Sequence, residues 1–304
     1  MSRYAAGVDL GGTKVEVCIV DETRRLLTRK RVPSEPRRGK DRVVKNILDL
    51  VSHAAEGRPL EAVGMGTPGT YHPADDIMYG APHTPLYEKP GVISELRRKL
   101  TVPLIIDNDA NCLALAEFFA QCHGLYRSVM AVILGTGMGS GLILDNRLYR
   151  GPNGNAGEIG HTTIDINGRP CECGRRGCAE AYLSGPSLSR RYRELAGEVL
   201  AASEIYLRYE RGDAHAKALF EESFRVMGEV FANAVNTLDL EAIILGGGVS
   251  NIPLWYDHVP AFMLPRVFGI PNRRIPIIRA TLGDSAGVLG AAFLALRKMG
   301  LMEF

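Results

Sequence analysis

The feature that most limits the possible folds is a strand, glycine turn and strand arrangement that occurs twice along the chain. The first copy joins the apolar run Tyr4–Leu10 to an alternating strand that begins near Val15, with two glycines between them. The second copy joins Val129–Leu134 to Gly141–Leu144 through a turn that is richer in glycine. Because strand and helix periodicity alternate after each copy, the pattern predicts an internally duplicated α/β fold with a cleft between its two halves.

The remaining periodicity predicts short buried strands at residues 62–66, 104–106 and 242–245. Helical spacing is expected at 43–51, near 96–100, at 110–121, after Pro186, at 213–238 and at 285–299. Helical periodicity breaks at His123 and Gly124, so we place the domain boundary there. The expected domains are an N-terminal α/β domain at 1–122 and a C-terminal α/β domain at 123–284, with the last helix, 285–304, packing back on the first.

Charge and composition exclude several classes of partner. The 304 residues suit two domains, and 36 Lys plus Arg against 34 Asp plus Glu give a net charge of +2. This balance argues against nucleic acid or an anionic membrane as a partner. No apolar run approaches the length of a spanning helix, and the N-terminus shows no secretory signal. We therefore expect a cytoplasmic protein whose six cysteines are thiols or metal ligands rather than disulfides.

The first glycine turn has the sequence DLGGTK at Asp9–Lys14. Its glycines allow backbone N–H groups to face an anion, and the Thr13 hydroxyl adds a further donor. Asp9 can hold a magnesium ion through water. An ordinary glycine hairpin is the alternative interpretation.

Two further glycine clusters follow at strand ends. Gly135–Gly141 is not a dinucleotide fingerprint, because Ser140 stands where a glycine is required and a strand follows instead of a helix. It is either a second phosphate-facing hairpin or a flexible loop. The buried run from Ile243 ends in Gly246–Gly248, a turn that lets a flat adenine lie against the backbone.

A run of polar residues, Asp107–Asn111, lies where a predicted strand meets a predicted helix. Asp109 is therefore either the cap of the helix or a base that accepts a hydroxyl proton during phosphoryl transfer. A cap alone does not need three consecutive polar residues, so the pattern favours the base.

The segment GEIGH at Gly157–His161 is followed by Cys171, Cys173 and Cys178. One imidazole and three thiolates form a complete tetrahedral set for a structural zinc. Three free thiols in a glycine-rich loop are the alternative.

Taken in order, these motifs resemble those of the bacterial ROK-family sugar kinases, and the resemblance covers residues 5 to 295. It implies an actin-like, hexokinase-type fold of two duplicated α/β domains around a nucleotide and sugar cleft. It also implies ATP, Mg²⁺, a structural Zn²⁺, a small-molecule sugar as partner and a homodimer. The implied reaction transfers the γ-phosphoryl group of ATP to the 6-hydroxyl of a hexose of the fructose, glucose or mannose type. The alternatives are an N-acetylhexosamine kinase and a non-catalytic sugar-sensing member of the family.

The resemblance also implies a role for each matching residue. Nucleotide binding is implied for Asp9, Gly11, Gly12, Thr13, Lys14, Gly135, Thr136, Gly137, Gly139, Gly246, Gly247 and Gly248. The catalytic base is implied to be Asp109, and sugar contacts are implied for Gly69, Asn108, Glu158, His161 and Glu180. The implied zinc ligands are His161, Cys171, Cys173 and Cys178.

One segment departs from the family pattern. Many members have an Asn in the loop before the catalytic residues, whereas this chain has Gly80–Pro85. One sugar contact is then either missing or supplied by His83 or Thr84, which leaves the preferred sugar open. A transcription repressor of the family is not expected, because only eight residues precede Asp9 and a DNA-reading helix does not fit there.

Overall fold

The computed structural model describes residues 2–81, 84–269 and 273–302. Contacts within the chain divide it into two units. The first comprises Met1–Phe119, Arg150–Asn155 and Asp284–Phe304, and the second comprises Ala120–Tyr149 and Ala156–Gly283. Residues 150–155 belong to the first unit, although the predicted first domain did not include them. The chain belongs to the second unit both before and after these six residues.

The first unit is built on a five-stranded sheet in the order β3-β2-β1-β4-β7. Its strands are β1 (Tyr4–Leu10), β2 (Lys14–Asp21), β3 (Leu26–Pro33), β4 (Leu60–Thr67) and β7 (Leu104–Asn108), and β5 (Thr70–His72) pairs with β6 (Ile77–Tyr79). Its helices are α1 (Lys40–Ala55), α2 (Val92–Lys99), α3 (Asp109–Glu117) and α9 (Ala286–Lys298).

The last helix packs directly on the sheet of the first unit, at a distance that only glycine permits. A Cβ atom at Gly7 of β1 would lie 2.1 Å from the carbonyl oxygen of Val288. At Gly64 of β4 it would lie 1.7 Å from the carbonyl oxygen of Ala291. The two glycines therefore let the α9 backbone contact the strand backbones, and the chain ends in the unit in which it begins.

The second unit has a five-stranded sheet in the order β10-β9-β8-β11-β12. Its strands are β8 (Val129–Leu134), β9 (Met138–Leu144), β10 (Arg147–Tyr149), β11 (Ala242–Gly246) and β12 (Ile277–Arg279). Its helices are α4 (Glu180–Leu183), α5 (Gly185–Ala196), α6 (Ala202–Glu210), α7 (Ala214–Leu238) and α8 (Leu254–Met263).

The two sheets share one topology. In each sheet, the central strand (β1 or β8) pairs antiparallel with the next strand along the chain (β2 or β9). On its other side it pairs parallel with β4 or β11. At the edges, β3 and β10 pair antiparallel with β2 and β9, and β7 and β12 pair parallel with β4 and β11. The predicted duplication is thus confirmed at the level of strand pairing. No helix among the described residues is both long enough and apolar enough to cross a membrane.

Candidate active site

The first glycine turn is a tight connection between β1 and β2, in which the N–H of Gly11 donates to the carbonyl oxygen of Lys14 at 2.9 Å. Asp9 precedes the turn, and its side chain lies against the start of α9. A Cβ atom at Gly287 would lie 3.2 Å from Oδ2 of Asp9, so glycine at this position leaves room for the carboxyl group. Burial raises the pKa of Asp9 above its ordinary value, and the nearby Lys14 opposes this effect.

The lysine of this turn is paired with two carboxylates. Nζ of Lys14 lies 3.8 Å from Oδ2 of Asp284 and 3.9 Å from Oε2 of Glu16. The Glu16 carboxylate is buried and also binds Arg31 at 2.6 Å. Lys14 must therefore leave or share these partners before it can neutralise a phosphate.

The loop that departs from the family pattern contacts the same turn. A Cβ atom at Gly12 would lie 3.1 Å from Oγ1 of Thr84, so Thr84 packs on the first glycine turn. His83, the other residue proposed to supply a sugar contact, lies outside the described residues.

In the polar run at the end of β7, the helix cap and the candidate base are two different residues. Asn108, not Asp109, is the N-cap of α3, because its Oδ1 accepts from the N–H of Asn111 at 2.7 Å. The alternative interpretation of Asp109 as the helix cap is therefore wrong. With Oδ1 of Asn108 occupied by the cap, its side-chain amide N–H groups are what it can offer to a ligand.

Asp107, the first residue of this run, forms an ion pair that the sequence did not predict. Oδ2 of the buried Asp107 lies 2.5 Å from Nε of Arg150, the first residue of the 150–155 segment. Oδ1 of Asp107 accepts from the Asn108 N–H at 3.0 Å and from Nδ2 of Asn111 at 2.7 Å. Burial raises the pKa of Asp107, and Arg150 opposes this effect. No sequence signal links two residues so far apart along the chain.

Gly69, a predicted sugar contact, has a conformation that glycine alone adopts easily. Its φ is +70°, and a Cβ atom there would lie 2.2 Å from the carbonyl oxygen of Tyr79. The preceding Thr67 donates through Oγ1 to the carbonyl oxygen of Asp107 at 3.3 Å. Backbone packing thus explains this glycine, and its contact with sugar stays a prediction.

The second and third glycine clusters meet at one cavity in the second unit. Gly135, Thr136 and Gly248 line a cavity of about 600 Å³, together with the α6 residues Ser203 and Tyr206. None of the described residues that line it is charged. Such a lining of hydroxyl, amide and apolar groups suits a neutral heteroaromatic base.

Three further predicted nucleotide residues, Gly139, Gly246 and Gly247, are not among the residues that line this cavity. Gly247 has a φ of +89°, and a Cβ atom there would lie 2.5 Å from the carbonyl oxygen of Leu134. Gly139 and Gly246 are within strands, and both stand opposite Ile133 in the sheet. They belong to interior strands of the sheet rather than to the turns.

Glu180 contacts the second glycine turn. It is the first residue of α4, and its Oε2 accepts from the N–H of Met138 at 2.8 Å. A Cβ atom at Gly137 would lie 2.8 Å from the same oxygen, so glycine leaves room for this carboxylate. Glu158 is solvent-exposed at the start of the short helix Ile159–His161.

The four predicted zinc ligands lie together. Their donor atoms all lie within 4.8 Å of one another. Sγ of Cys171 is 3.7 Å from Nδ1 of His161, and Sγ of Cys173 is 3.6 Å from Sγ of Cys178. Two thiolates bound to one zinc at about 2.3 Å lie ~3.8 Å apart, so these separations fit a tetrahedral site. The other three cysteines are buried, as expected for core residues.

The pKa values of the thiols in this group differ from one another. Burial and hydrogen bonds with Cys173 and Cys171 raise the pKa of Cys178 to about 12. Burial also opposes ionisation of Cys173, but hydrogen bonds from the Arg175 backbone and from Cys171 lower its pKa to about 6. A divalent cation would stabilise all three thiolates at neutral pH.

These residues form two groups. Asp9, Lys14, Asp107, Asn108 and Asp109 belong to the first unit, whereas Thr136, Glu158, His161, Glu180, Cys171, Cys173 and Cys178 belong to the second. Two α/β units of one topology, with a glycine turn between the first two strands of each, define a protein with the actin-like ATPase fold.

The chain belongs to the ROK family, whose model matches residues 5–298. It is 34% identical to N-acetyl-D-glucosamine kinase of Pasteurella multocida (strain Pm70), over 97% of this chain and 100% of that protein. It is 35% identical to N-acetyl-D-glucosamine kinase of Escherichia coli (strain K12), over 95% and 98% respectively. Among solved structures, it matches a ROK hexokinase from Thermus thermophilus at 31% identity with a TM-score of 0.90, over 98% of this chain and 99% of that one.

A second solved structure is a ROK glucokinase from Streptomyces griseus in complex with glucose and AMPPNP. It matches at 31% identity with a TM-score of 0.78, over 97% of this chain and 99% of that one. The resemblance to the family and its fold are thereby confirmed.

Proposed function

We propose that this protein is an ATP-dependent sugar kinase whose acceptor is N-acetyl-D-glucosamine, phosphorylated at its 6-hydroxyl group. The observation that carries the proposal is the match, over nearly the whole chain, to N-acetyl-D-glucosamine kinases. The sequence favoured an unsubstituted hexose and kept the N-acetylhexosamine as the alternative. These relatives support the alternative.

The proposed reaction needs a base at the sugar hydroxyl. Asp109 would accept the hydroxyl proton while that oxygen forms a bond to the γ-phosphorus. The bond between the γ-phosphorus and the bridging oxygen breaks, and ADP leaves with its electron pair. Magnesium, bound with ATP and held through water by Asp9, would neutralise charge on the phosphates.

The Asp107 and Arg150 pair would hold this base in place. Asp107 binds the backbone N–H of Asn108 and the side chain of Asn111, so it fixes the start of α3 on either side of Asp109. A base must lie within hydrogen-bond reach of the proton it removes, so this order matters for the rate.

Sugar contacts would come from Asn108, Glu158, His161 and Glu180. His161 turns Nδ1 towards Cys171, so its Nε2 is the nitrogen left for a hydroxyl group. A zinc ion on Nδ1 would fix both the ring orientation and the tautomer. Glu180 already accepts from Met138, so it would link sugar binding to the second phosphate turn.

The test is a coupled ADP-release assay with N-acetylglucosamine, N-acetylmannosamine, glucose, fructose and mannose. We expect the highest kcat/KM with N-acetylglucosamine, no turnover of its 6-deoxy analogue, and a 6-phosphate in the phosphorus NMR spectrum of the product. A higher kcat/KM for glucose would support the second candidate, a glucokinase, which the hexokinase and glucokinase structures favour. Sugar binding without any ADP release would contradict the proposal and favour the sugar-sensing alternative.

A further inference from the structure

Arg190 of α5 lies beside the candidate nucleotide site, although no sequence motif drew attention to it. It lines a small cavity that adjoins the 600 Å³ cavity described above, because Thr136 and Pro186 line both. Thr136 belongs to the second phosphate turn. The guanidinium group is therefore close to the place where the phosphates of a nucleotide would lie.

The geometry of α5 supports this placement. Pro186, Ser189 and Arg190 follow helical spacing at i, i+3 and i+4, so they share one face of the helix. Pro186 and Ser189 line the larger cavity. The helix start is fixed to the phosphate turn, since the N–H of Gly185 donates to the carbonyl oxygen of Gly135 at 2.8 Å. Arg190 thus follows the residues of this face on a helix that is attached to the turn, and it lines the small cavity rather than the larger one.

Arg190 is also available to bind an anion. Its hydrogen bond is from Nη2 to Oγ of Ser187, at 3.1 Å, and it forms no ion pair with any residue that the structure describes. Glu172 and Glu180, which line the same small cavity, are not within ion-pair distance. The adjacent Arg191 differs, because it is buried and binds Glu222 at 2.7 Å.

The nucleotide site needs such a cation. The described residues that line the larger cavity carry no charge, and Lys14 of the first phosphate turn is held by Asp284 and Glu16. The transferred phosphoryl group and its neighbours carry several negative charges that a kinase must stabilise. A guanidinium group matches phosphate oxygens in geometry as well as in charge.

We propose that Arg190 binds the phosphate chain of the nucleotide and stabilises the charge that develops during transfer. This inference rests on the proposed kinase function and adds a residue to it. Arg190 differs from the glycine turns in kind, because it contributes a full positive charge where they contribute backbone N–H groups.

Three variants test the proposal. Arg190→Gln keeps a side-chain donor for Ser187 but removes the charge. Arg190→Lys keeps the charge but loses the planar guanidinium group and its paired N–H donors. Arg193→Gln is the matched control, because Arg193 is exposed on the same helix and forms no ion pair with a described residue. We expect Arg190→Gln to lower kcat/KM for ATP by about 10- to 100-fold, the effect of one charge-assisted hydrogen bond. Arg190→Lys should recover part of this loss, and Arg193→Gln should match the wild type.

Calorimetry with ADP and with adenosine separates a phosphate contact from a structural role. We expect Arg190→Gln to weaken ADP binding while adenosine binding and the Tm stay unchanged. An equal loss for ADP and adenosine, or an unchanged affinity for ADP, would overturn the proposal. If the wild type releases no ADP with any sugar, the proposed function fails, but the ADP and adenosine comparison still decides whether Arg190 binds phosphate.

Discussion

Asp109 and Asn108 lie next to each other but satisfy different demands. Asn108 satisfies a backbone N–H at the start of α3, so the helix cap does not depend on Asp109. Oδ1 of Asp109 accepts from the N–H of Ala110 at 2.8 Å. An acidic residue in the first turn of a helix also gains a little from the helix dipole. Asp41 also lies in the first turn of its helix, α1, and is exposed, so it provides a similar dipole contribution without a candidate chemical role.

We expect Asp109→Asn to lower kcat by about 10²- to 10⁴-fold, the usual effect of a positioned base. The affinity for ATP and the Tm should change little, because asparagine is nearly isosteric and the cap remains on Asn108. Steady-state kinetics of sugar-dependent ADP release, with Asp41→Asn as the control, measure the effect. A normal kcat in Asp109→Asn would mean that another group removes the proton.

The 150–155 segment is an element that no periodicity could predict. It is irregular, it follows the short strand β10, and it enters the first unit only to return to the second. Arg150 is its anchor on Asp107. The polar residues around Asp109 could be read from the sequence because they are consecutive, whereas their supporting arginine depends on a tertiary contact.

We expect Arg150→Met to lower the Tm by about 2–6 °C near pH 8, which corresponds to about 1–2 kcal/mol. This is less than for a fully buried pair, because the Arg150 side chain is 38% exposed. Loss of Arg150 raises the pKa of the buried Asp107 further. As the pH falls towards this raised pKa, Asp107 becomes protonated in the folded state and no longer needs a cation, so the loss of stability should shrink as the pH is lowered from 8 into the acidic range.

Thermal melts across this pH range, with the exposed Arg147→Met as the control, measure the effect. In the Asp107→Asn background, Arg150→Met should cost much less, because the buried charge is already absent. A loss of stability that is independent of pH and of Asp107 would contradict this account.

The loop that carries the four candidate zinc ligands, His161, Cys171, Cys173 and Cys178, is held in shape by its own backbone. Thr163 bridges Cys178 and Pro170 bridges Arg176, in antiparallel pairs. Gly177, with a φ of +70°, lies where a Cβ atom would be 1.7 Å from the carbonyl oxygen of Asp165. The ligand types could be read from the sequence, but their closure around one point depends on these pairs.

We expect one zinc ion per chain in the purified protein and none in Cys173→Ser, because hydroxyl is a poor replacement for thiolate. The Tm should fall, and KM for the sugar should rise, because His161 is both a ligand and a predicted sugar contact. Elemental analysis and kinetics test this, with Glu172→Gln as the control, since Glu172 lies between two ligands but is not one. Well under one zinc per chain in the wild type would contradict the prediction.

Over the whole molecule, the sequence could predict those helices, strands and turns that are determined by residues close to one another in the chain. Both strand, turn and strand units, the long helix α7 and the last helix were predicted, because apolar periodicity and glycine turns fix them within a few residues. The strand β3 was missed because it is an edge strand, LLTRKRVP, with four consecutive polar residues at its centre. The helix α6 was also missed, although its Ser203 and Tyr206 line the 600 Å³ cavity, because it is short and mixed in polarity.

The contact of the last helix with the first sheet makes the first unit depend on both ends of the chain. We expect Gly64→Ala to destabilise it by about 1–3 kcal/mol or more, because the added methyl group would meet the α9 backbone at 1.7 Å and backbone cannot turn aside. Gly39→Ala is the control: its φ of +90° makes alanine strained there, but nothing lies within 4 Å, so it measures conformational strain without overpacking. Denaturant titration of the two variants should show a larger loss for Gly64→Ala, and hydrogen exchange should localise it to β1, β4 and α9. Equal losses would mean that α9 can shift on the sheet at little cost.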